Sequence, residues 1–297
     1  MKEIILDFKS AKKLLPERPE NSNKGTFGKV LIICGSRNMC GCCILAAQGA
    51  LRSGVGLVTL AFPEDIYIPV LLNIKEAVFM PLKTNADGCI CENETGKILS
   101  CAEKNDVVVY GCGVGVNQST KLLTETLISE CGKPLILDAD ALNCLSQNTS
   151  VLKNKKCDIL ITPHPGEMSR LINKTVDYVE SNRIDVITGF CNEYNISALL
   201  KGYETLIYKA GNDYIYKNKT GNSGLSKGGS GDLLSGIIGG LCATLKGDLQ
   251  SAASLGAFIH GLCADILRNE FTEYSMLPSD CAGVLPFAIK KILSEGE

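Results

Sequence analysis

The sequence predicts an α/β fold in which a mostly parallel sheet is covered by helices on both faces. Short apolar runs rich in β-branched residues recur along the chain. Because these runs are continuous rather than alternating, they are typical of strands buried on both faces. Segments of helical character separate the runs. This alternation favours a parallel sheet between two helical layers, a three-layer αβα architecture.

Each element follows from a local pattern. The apolar runs predict strands at residues 30–34, 57–61, 107–110, 135–137, 159–161, 198–200 and 205–208. Helices are predicted at residues 41–53, 119–130, 165–172, 178–194, 231–245, 251–268 and 279–294. Gly211, Asn212 and Asp213 predict a turn into a further strand at 214–216, so a hairpin follows residue 208. Residues 1–23 are more polar and contain Pro16 and Pro19, which indicates a first helix and a loop.

The composition predicts one large domain. The chain has 297 residues, 45% of them hydrophobic, and no linker rich in Pro, Gly or Ser divides it. We therefore expect residues 1–297 to form a single domain, with 1–23 as an N-terminal extension. The net charge of −2, without clustered Lys or Arg, argues against a nucleic-acid partner. Residues 1–7 lack the apolar core of a signal peptide, and no run has membrane-spanning length, so we expect a cytoplasmic protein without a membrane partner.

The chain contains fifteen cysteines, which is a high count. Most lie inside apolar runs, as Cys34, Cys242 and Cys263 do, where Cys behaves as a small hydrophobic residue. Residues 40–43 include the CxxC spacing found in zinc and redox sites. No second pair follows at a suitable spacing, however, and the chain has only two histidines. Reduced thiols are therefore expected, and a metal or redox site is the less favoured alternative.

A glycine-rich run after the predicted hairpin has the chemistry of an anion site. Residues 227–232 read Lys-Gly-Gly-Ser-Gly-Asp and precede an apolar helical stretch. Glycines leave backbone amides uncovered, and a helix that begins here adds unpaired N–H groups and its positive dipole end. A carboxylate at Asp232 would repel a bound anion, so its presence here indicates a catalytic role, such as taking a proton from a hydroxyl that attacks phosphorus. The alternative is a flexible linker followed by an Asp N-cap.

Two further glycine-rich loops follow predicted strands, where ligands collect in such sheets. They are residues 35–42 and residues 111–115, and both allow close approach of a ligand to the backbone. The GxGxG pattern at 111–115 resembles half of a dinucleotide fingerprint. No acidic residue clearly ends the next strand at the expected distance, so a Rossmann cofactor site is not favoured.

Polar residues follow three more strands. Asp138 and Asp140 could hold magnesium through water, orient a substrate hydroxyl, or cap the next helix. His164 lies between two prolines, and this stiff setting favours ligand contact over a purely structural role. Glu167 follows in the first turn of a helix, where it could instead complement the helix dipole. Residues 201–205 offer a cation, a glycine and a hydroxyl to nucleotide phosphates or ribose, but taken alone they are more typical of a plain hairpin turn.

Together these segments resemble the ribokinase-like superfamily, in which a glycine-rich motif ends in the catalytic Asp. They resemble more closely the NAD(P)H-hydrate dehydratases, the carbohydrate kinase-related domain of the YjeF type. The Thr-Pro-His-Pro-Gly-Glu loop is the more particular motif, because related vitamin kinases usually have Asn in place of His164. The matching stretches cover nearly the whole chain, in the order of the family, at residues 24–30, 41–56, 111–115, 138–143, 162–167, 201–205, 228–232 and 260–261.

The resemblance implies repair of hydrated NADH and NADPH. In this family an adenine nucleotide with magnesium is spent to dehydrate (S)-NADHX and (S)-NADPHX. ADP is the donor in most bacterial members and is expected here, with ATP left open. The residues implied in catalysis are Asp232 as the base and Gly229, Ser230 and Gly231 as the phosphoryl cradle. The contacts implied for the hydrated cofactor are Cys42, Gly113, His164 and Asp232. The contacts implied for the nucleotide are Lys201, Gly202, Tyr203, Glu204, Thr205 and Gly231. No direct metal ligand is implied, and magnesium would lie, through water, near Glu167 and Asp138.

The resemblance also bears on assembly and on the alternatives. The family commonly forms tetramers, so a homotetramer is expected. Bifunctional relatives carry an epimerase domain that 23 residues cannot hold, so we expect the epimerase activity on a separate chain. Cys42 and Leu225 depart from the Ala and Met usual in the family. The alternative function is a ribokinase-like kinase of a small molecule such as a vitamin precursor. A non-catalytic nucleotide sensor is disfavoured because Asp232 and the anion loop are intact.

Overall fold

Ten strands form one sheet in the computed structural model of the protein, which describes residues 1–296. The strands are β1 (Lys2–Ile5), β2 (Lys29–Ile33), β3 (Leu57–Pro63), β4 (Val78–Leu82), β5 (Val107–Tyr110), β6 (Leu135–Leu137), β7 (Ile159–Ile161), β8 (Ser197–Leu200), β9 (Thr205–Lys209) and β10 (Tyr214–Asn218). Their order across the sheet is β1-β10-β9-β8-β7-β6-β5-β2-β3-β4. Only β9 runs opposite to its neighbours, β8 and β10. The prediction of a mostly parallel sheet is confirmed.

Helices cover both faces of this sheet. They are α1 (Phe8–Leu14), α2 (Gly41–Arg52), α3 (Tyr67–Asn73), α4 (Thr95–Ala102), α5 (Gln118–Glu130), α6 (Asp140–Leu145), α7 (Pro165–Leu171), α8 (Val176–Ser181), α9 (Arg183–Tyr194), α10 (Ser230–Thr244), α11 (Leu249–Leu267) and α12 (Pro278–Glu295). Single 3₁₀ turns lie at Lys24–Phe27, Glu64–Ile66, Glu92–Glu94, Thr149–Asn154 and Ser223–Leu225. Among residues 1–296 no helix is both long and apolar enough to cross a membrane.

Two apolar cores, one on each side of the sheet, explain the continuous apolar strands. Val30 and Ile32 of β2 pack into the core formed with α2, α10, α11 and α12. Leu31 and Ile33 of the same strand pack into the core formed with α4, α5, α7 and α9. Successive side chains of a strand point to opposite faces, so a strand between two helical layers needs apolar residues at every position. This arrangement is the predicted three-layer αβα architecture.

The structure differs from the sequence prediction at both edges of the sheet and in three helices that were not predicted, α3, α4 and α6. All seven predicted strands and the hairpin are present, but β1 and β4 were not predicted. Both are edge strands with several exposed side chains: β1 begins with Lys2 and Glu3, and β4 is apolar but contains Pro81, which is unfavourable within a strand. The helix expected within residues 1–23 is α1, although β1 precedes it and pairs with β10. The single helix predicted at 178–194 is divided at Asn182 into α8 and α9.

Helices α2 and α10 pack side by side through glycine. A Cβ on Gly236 would lie 2.0 Å from the Ala46 carbonyl oxygen, and a Cβ on Gly240 would lie 2.6 Å from that of Ala50. Glycine therefore allows the two backbones to touch. The paired positions advance together along both helices, so α2 and α10 run parallel and begin at the same edge of the sheet. We call this contact the glycine seam, and it fixes the distance between the two helix N-termini.

The glycine seam gives a stability prediction. We expect Gly236→Ala to lower the free energy of unfolding by about 1–3 kcal/mol, because the new methyl group overpacks a backbone contact. Gly189→Ala in α9 is the matched control, since a Cβ there meets nothing within 4 Å. It should raise stability by about 0.5–1 kcal/mol, the usual gain of Ala over Gly in a helix. Urea denaturation measures the free energy of unfolding of both variants. Equal effects of the two substitutions would contradict the close backbone contact at the glycine seam.

Candidate active site

Two cavities adjoin at the start of α10, beyond the carboxyl ends of the parallel strands. The larger has a volume of about 840 Å³, and its lining includes residues 201–205, 218–223, Ser230, Gly231 and His260. The smaller has a volume of about 440 Å³, and its lining includes Cys42, Gly113, Asp140, Gly229 and Asp232. Consecutive residues at the start of α10 thus face different cavities. Groups bound in the two cavities would meet there.

The start of α10 has the features of a phosphate site. Gly229 is the N-cap, with φ of +98°, and a Cβ there would lie 2.6 Å from Leu45 Cδ1. Ser230 Oγ is buried and has no hydrogen-bond partner among the residues that the structure describes. The first N–H groups of a helix lack partners inside it, and the helix dipole favours an anion beside them. Asp232 lies inside the helix rather than at its cap, so the linker-and-cap alternative is wrong.

Asp232 lines the smaller cavity from the first turn of α10. Burial raises the pKa of its carboxyl group to about 7, and the nearby Cys42 and Asp138 act in the same direction. Lys201 opposes them only in part. A carboxyl group with a pKa near neutrality is well matched to accept a proton at physiological pH. The geometry therefore supports the predicted role of Asp232 as a base.

A buried network of two acids and one lysine lies beside the start of α10. Lys201 Nζ donates to Asp138 Oδ1 at 2.8 Å and lies 3.7 Å from Glu167 Oε2. Ser235 Oγ donates to Asp138 Oδ2 at 2.7 Å. Burial alone would raise the pKa of Asp138, but Lys201 and the hydrogen bonds hold it below its usual value. Burial raises the pKa of Glu167, and the two acids raise the pKa of Lys201 against the effect of burial.

His164 has a structural role in addition to facing a cavity. It is the N-cap of α7, and its Nδ1 accepts hydrogen bonds from the N–H groups of Gly166 at 3.0 Å and Glu167 at 3.3 Å. An accepting Nδ1 carries no proton, so the neutral ring is protonated at Nε2. Burial and the charge of Lys201 lower the pKa of His164, which keeps the ring neutral. His164 lines the larger cavity, whereas Cys42, Gly113 and Asp232 line the smaller one.

Cys42 and Gly113 lie against each other in the wall of the smaller cavity. Gly113 has φ of +63°, and a Cβ there would lie 2.6 Å from Cys42 Sγ. The Cys42 thiol donates to the carbonyl groups of Met39 at 2.9 Å and Cys112 at 3.2 Å. All fifteen cysteines are free thiols. Within residues 1–296 no group of three or more His, Cys, Asp or Glu side chains is placed to hold a metal ion.

The six residues that the resemblance assigned to the nucleotide, from Lys201 to Thr205 together with Gly231, all line the larger cavity.

Asp140 has a positioning contact: its Oδ2 accepts a hydrogen bond from the Gly115 N–H at 2.8 Å and so fixes the loop at 111–115. Neither aspartate of the 138–140 pair caps α6, because Ala139 is the N-cap.

Sequence reasoning missed Ser235 and left His260 without a role. His260 is buried in the wall of the larger cavity, with Nε2 unpartnered among residues 1–296. Burial lowers its pKa to about 4, so the imidazole is neutral. The signal available in the sequence was a polar residue within an otherwise apolar helix, at Ser235 in α10 and at His260 in α11. Such residues need a partner when they are buried.

The fold and the site together define the ribokinase-like class: a mostly parallel sheet between helices, with a glycine-rich helix start that ends in a carboxylate. A ribokinase-like superfamily protein of Enterococcus faecalis V583 shares the fold with a TM-score of 0.83 and 25% identity, over 98% of this chain and 96% of that one. The chain belongs to the NAD(P)H-hydrate dehydratase family, whose sequence model matches residues 30–286.

Individual relatives agree with this family. The Bifunctional NAD(P)H-hydrate repair enzyme Nnr of Moorella thermoacetica is 34% identical over 95% of this chain and 53% of its own length. The chain thus spans about half of that bifunctional relative. The ADP-dependent (S)-NAD(P)H-hydrate dehydratase of Neisseria meningitidis serogroup B is 34% identical over 85% of this chain and 81% of its own. The ADP/ATP-dependent NAD(P)H-hydrate dehydratase of Bacillus subtilis, co-crystallized with ATP/Mg²⁺, has a TM-score of 0.81 and 27% identity, over 96% of this chain and 97% of that one.

Proposed function

We propose that the protein dehydrates (S)-NADHX and (S)-NADPHX to NADH and NADPH at the expense of an adenine nucleotide. The observation that carries the proposal is the junction of two cavities at α10. An amide-rich helix start suited to a phosphate faces one cavity, and a carboxyl group with a pKa near 7 faces the other. Family membership and the relatives named as ADP-dependent or ADP/ATP-dependent dehydratases support the choice of substrate.

The proposed chemistry follows from this arrangement. Asp232 accepts the proton of the ring hydroxyl of the hydrated nicotinamide, and the oxygen attacks the terminal phosphorus of the nucleotide. The bond from that phosphorus to the bridging oxygen of the nucleotide breaks, which leaves a phosphorylated ring. The lone pair of the ring nitrogen then expels inorganic phosphate and leaves an iminium ion, and loss of a proton from the adjacent ring carbon to water restores the reduced nicotinamide. The amides of Gly229, Ser230 and Gly231 stabilise the charge on the transferring group.

The ligands are proposed to divide between the two cavities. The nucleotide occupies the larger one, against Lys201 to Thr205 and Gly231, with Ser230 Oγ donating to a phosphate oxygen. The nicotinamide part of the hydrated cofactor occupies the smaller one, against Cys42, Gly113 and Asp232. The family resemblance also assigns His164 to the hydrated cofactor. Because His164 lines the other cavity, its contact with the cofactor stays a prediction.

Magnesium fits the acidic groups near the junction. Carboxylate oxygens and water are the ligands that magnesium prefers in proteins. Asp138 and Glu167 lie within one network at the start of α10, and both already interact with Lys201. They would hold the ion through water, and the ion would neutralise charge on the nucleotide phosphates. Lys201 provides a fixed positive charge at the same place.

The remaining expectations belong to this proposal. They are a cytoplasmic location, a homotetramer, residues 1–297 as a single domain, and an epimerase on a separate chain. Size-exclusion chromatography with light scattering would test the tetramer, and a single cooperative unfolding transition would support the single domain.

The direct test of the proposal is cofactor recovery. The purified protein is incubated with hydrated NADH, magnesium and either ADP or ATP, and the absorbance of reduced nicotinamide is followed together with phosphate release. Recovery with one nucleotide supports the dehydratase and identifies its donor. No recovery with either nucleotide would contradict the proposal. A stable phosphate ester formed from another alcohol would then favour the kinase alternative.

The pKa of Asp232 predicts how the activity depends on pH. The proposed base works only when it is ionised, so kcat/KM should rise with pH and reach half its maximum near pH 7. Burial and the charge of Asp138 keep this midpoint high and the charge of Lys201 lowers it, so the midpoint reports on the surroundings of Asp232. Initial rates between pH 5.5 and 8.5 at low concentration of the hydrated cofactor measure the profile. A rate independent of pH over this range would exclude Asp232 as the group that limits activity.

A further inference from the structure

We infer that Ser235 and Asp138 are positioning residues that hold the Lys201 ammonium group at the start of α10, where the transferred phosphoryl group passes. The inference rests on the proposed function, and it adds a role for a serine inside the helix that carries the base.

The contacts form a short chain from α10 to Lys201. Ser235 is fully buried, and its hydroxyl donates to Asp138 Oδ2 at 2.7 Å. The other oxygen of the same carboxylate, Oδ1, accepts from Lys201 Nζ at 2.8 Å. Asp138 itself is only 1% exposed. Lys201 is thus the donor to Oδ1, and Ser235 is the short donor to Oδ2, which also accepts a longer contact from Cys112 Sγ at 3.9 Å.

The ammonium group lies next to the proposed phosphate site. A Cβ built on Gly231 would be 3.4 Å from Lys201 Nζ and 3.6 Å from Asp138 Oδ2. Gly231 lines the larger cavity, and its neighbour Asp232 lines the smaller one. The positive charge thus lies at the boundary between the two cavities. This is the place at which negative charge develops during phosphoryl transfer.

The Ser235 hydroxyl determines the orientation of this charge. A lysine is a flexible chain that ends in a point charge, so its position depends on its partners. Without the serine hydroxyl, Oδ2 of Asp138 keeps only the long contact from Cys112 Sγ, so the carboxylate is held less firmly and Lys201 can move towards Glu167 Oε2, now 3.7 Å away. A small displacement of a charged group is sufficient to slow catalysis strongly. Ser235 lines neither cavity, so it acts through Asp138 and Lys201.

The first experiment compares Ser235→Ala with Ser254→Ala. Ser254 is also fully buried in a helix, but its hydroxyl has no partner among residues 1–296, so it is a matched control. For Ser235→Ala we expect kcat to fall about tenfold, with KM for the hydrated cofactor changed less than twofold. Ser254→Ala should change neither. Equal kcat values for the two variants would overturn the inference.

The second experiment does not depend on the proposed reaction. Calorimetry measures the affinities of ATP and AMP for the wild type and both variants. Ser235→Ala should weaken ATP binding about fivefold and leave AMP unchanged, because only ATP has phosphates beyond the α-phosphate. If the ratio of the ATP affinity to the AMP affinity is the same in Ser235→Ala as in the wild type, the inference is contradicted. This result can be read even if the wild-type protein fails to dehydrate the cofactor. Absence of dehydration alone would overturn the proposed function only.

A further variant separates positioning from loss of folding. Asp138→Asn keeps the shape of the side chain but removes the charge that holds Lys201. It should lower kcat more than Ser235→Ala does, and the double variant should be no worse than Asp138→Asn alone. Two side chains that act through one contact show such non-additive effects. Independent, additive losses in the double variant would contradict a shared path through Asp138.

Discussion

Asp232→Asn is expected to slow dehydration by about 10³-fold, the usual size of a general-base contribution, while both ligands still bind. The amide has nearly the same shape as the carboxylate but cannot accept the proton of the ring hydroxyl. Turnover is measured from the recovery of reduced nicotinamide, and nucleotide binding is measured by calorimetry. Asp248→Asn is the matched control: Asp248 caps α11, and Asn caps a helix about equally well. A variant at Asp232 with near-wild-type turnover would remove the base from the mechanism.

The same substitution should also stabilise the folded protein at alkaline pH. The pKa of Asp232 is about 7 in the folded protein and 3.8 in the reference state without burial. Between these two values the folded protein binds the proton more tightly, so stability decreases as pH rises through that window. Asparagine carries no charge and avoids this cost. The melting temperature of Asp232→Asn should therefore exceed that of the wild type at pH 8, with the difference shrinking towards pH 4. If Asp232→Asn melted at a lower temperature than the wild type at pH 8, the ionised carboxylate of Asp232 would not be destabilising in the folded protein.

Lys201→Met is expected to have the largest effect on stability. It leaves the buried Asp138 carboxylate without its counter-ion and should lower the free energy of unfolding by about 3 kcal/mol or more. Turnover should fall as well, because the cation beside Gly231 is lost. Urea denaturation at pH 7 measures the stability, and phosphate release measures the activity.

Two comparisons make the Lys201 result specific. Lys291→Met removes a half-exposed lysine from its surface pair with Glu295 and from its place over the Phe8 ring, and such surface pairs contribute less than about 1 kcal/mol. Adding Asp138→Asn to Lys201→Met should restore part of the stability, because the uncompensated charge is then absent. If Lys201→Met were as stable as Lys291→Met, the network would make no net contribution to folding.

The central strands could be predicted from the sequence because burial on both faces leaves a clear pattern. Val30 to Ile33 of β2 are all apolar, and the structure shows them alternating between two cores. Edge strands need only one apolar face or none. The strand β1 accordingly begins with charged residues, and the apolar run of β4 is interrupted by Pro81, which argues against a strand. The places of both strands depend on pairing with β10 and β3, which no local sequence reveals.

The candidate site could be predicted where residues follow a strand directly, as Lys201 follows β8 and Asp138 follows β6. Parallel strands end at one edge of the sheet, so the topology collects these residues. The sequence does not show on which side of α10 each residue lies, and His164 therefore could not be placed relative to Asp232. Nor could Ser235 be singled out, because its role arises only when the end of β6 meets the side of α10.

The glycine seam has a mechanical consequence for ligand exchange. The backbones of α2 and α10 are in direct contact, so neither helix can slide or tilt without a steric clash. The distance between Cys42 and Asp232, at the beginnings of these helices, is thus insensitive to what happens elsewhere. The hairpin turn that lines the larger cavity carries Tyr203, which is 91% exposed. We therefore expect any adjustment of this cavity to a bound ligand to occur at that turn, while the wall that carries Asp232 stays rigid.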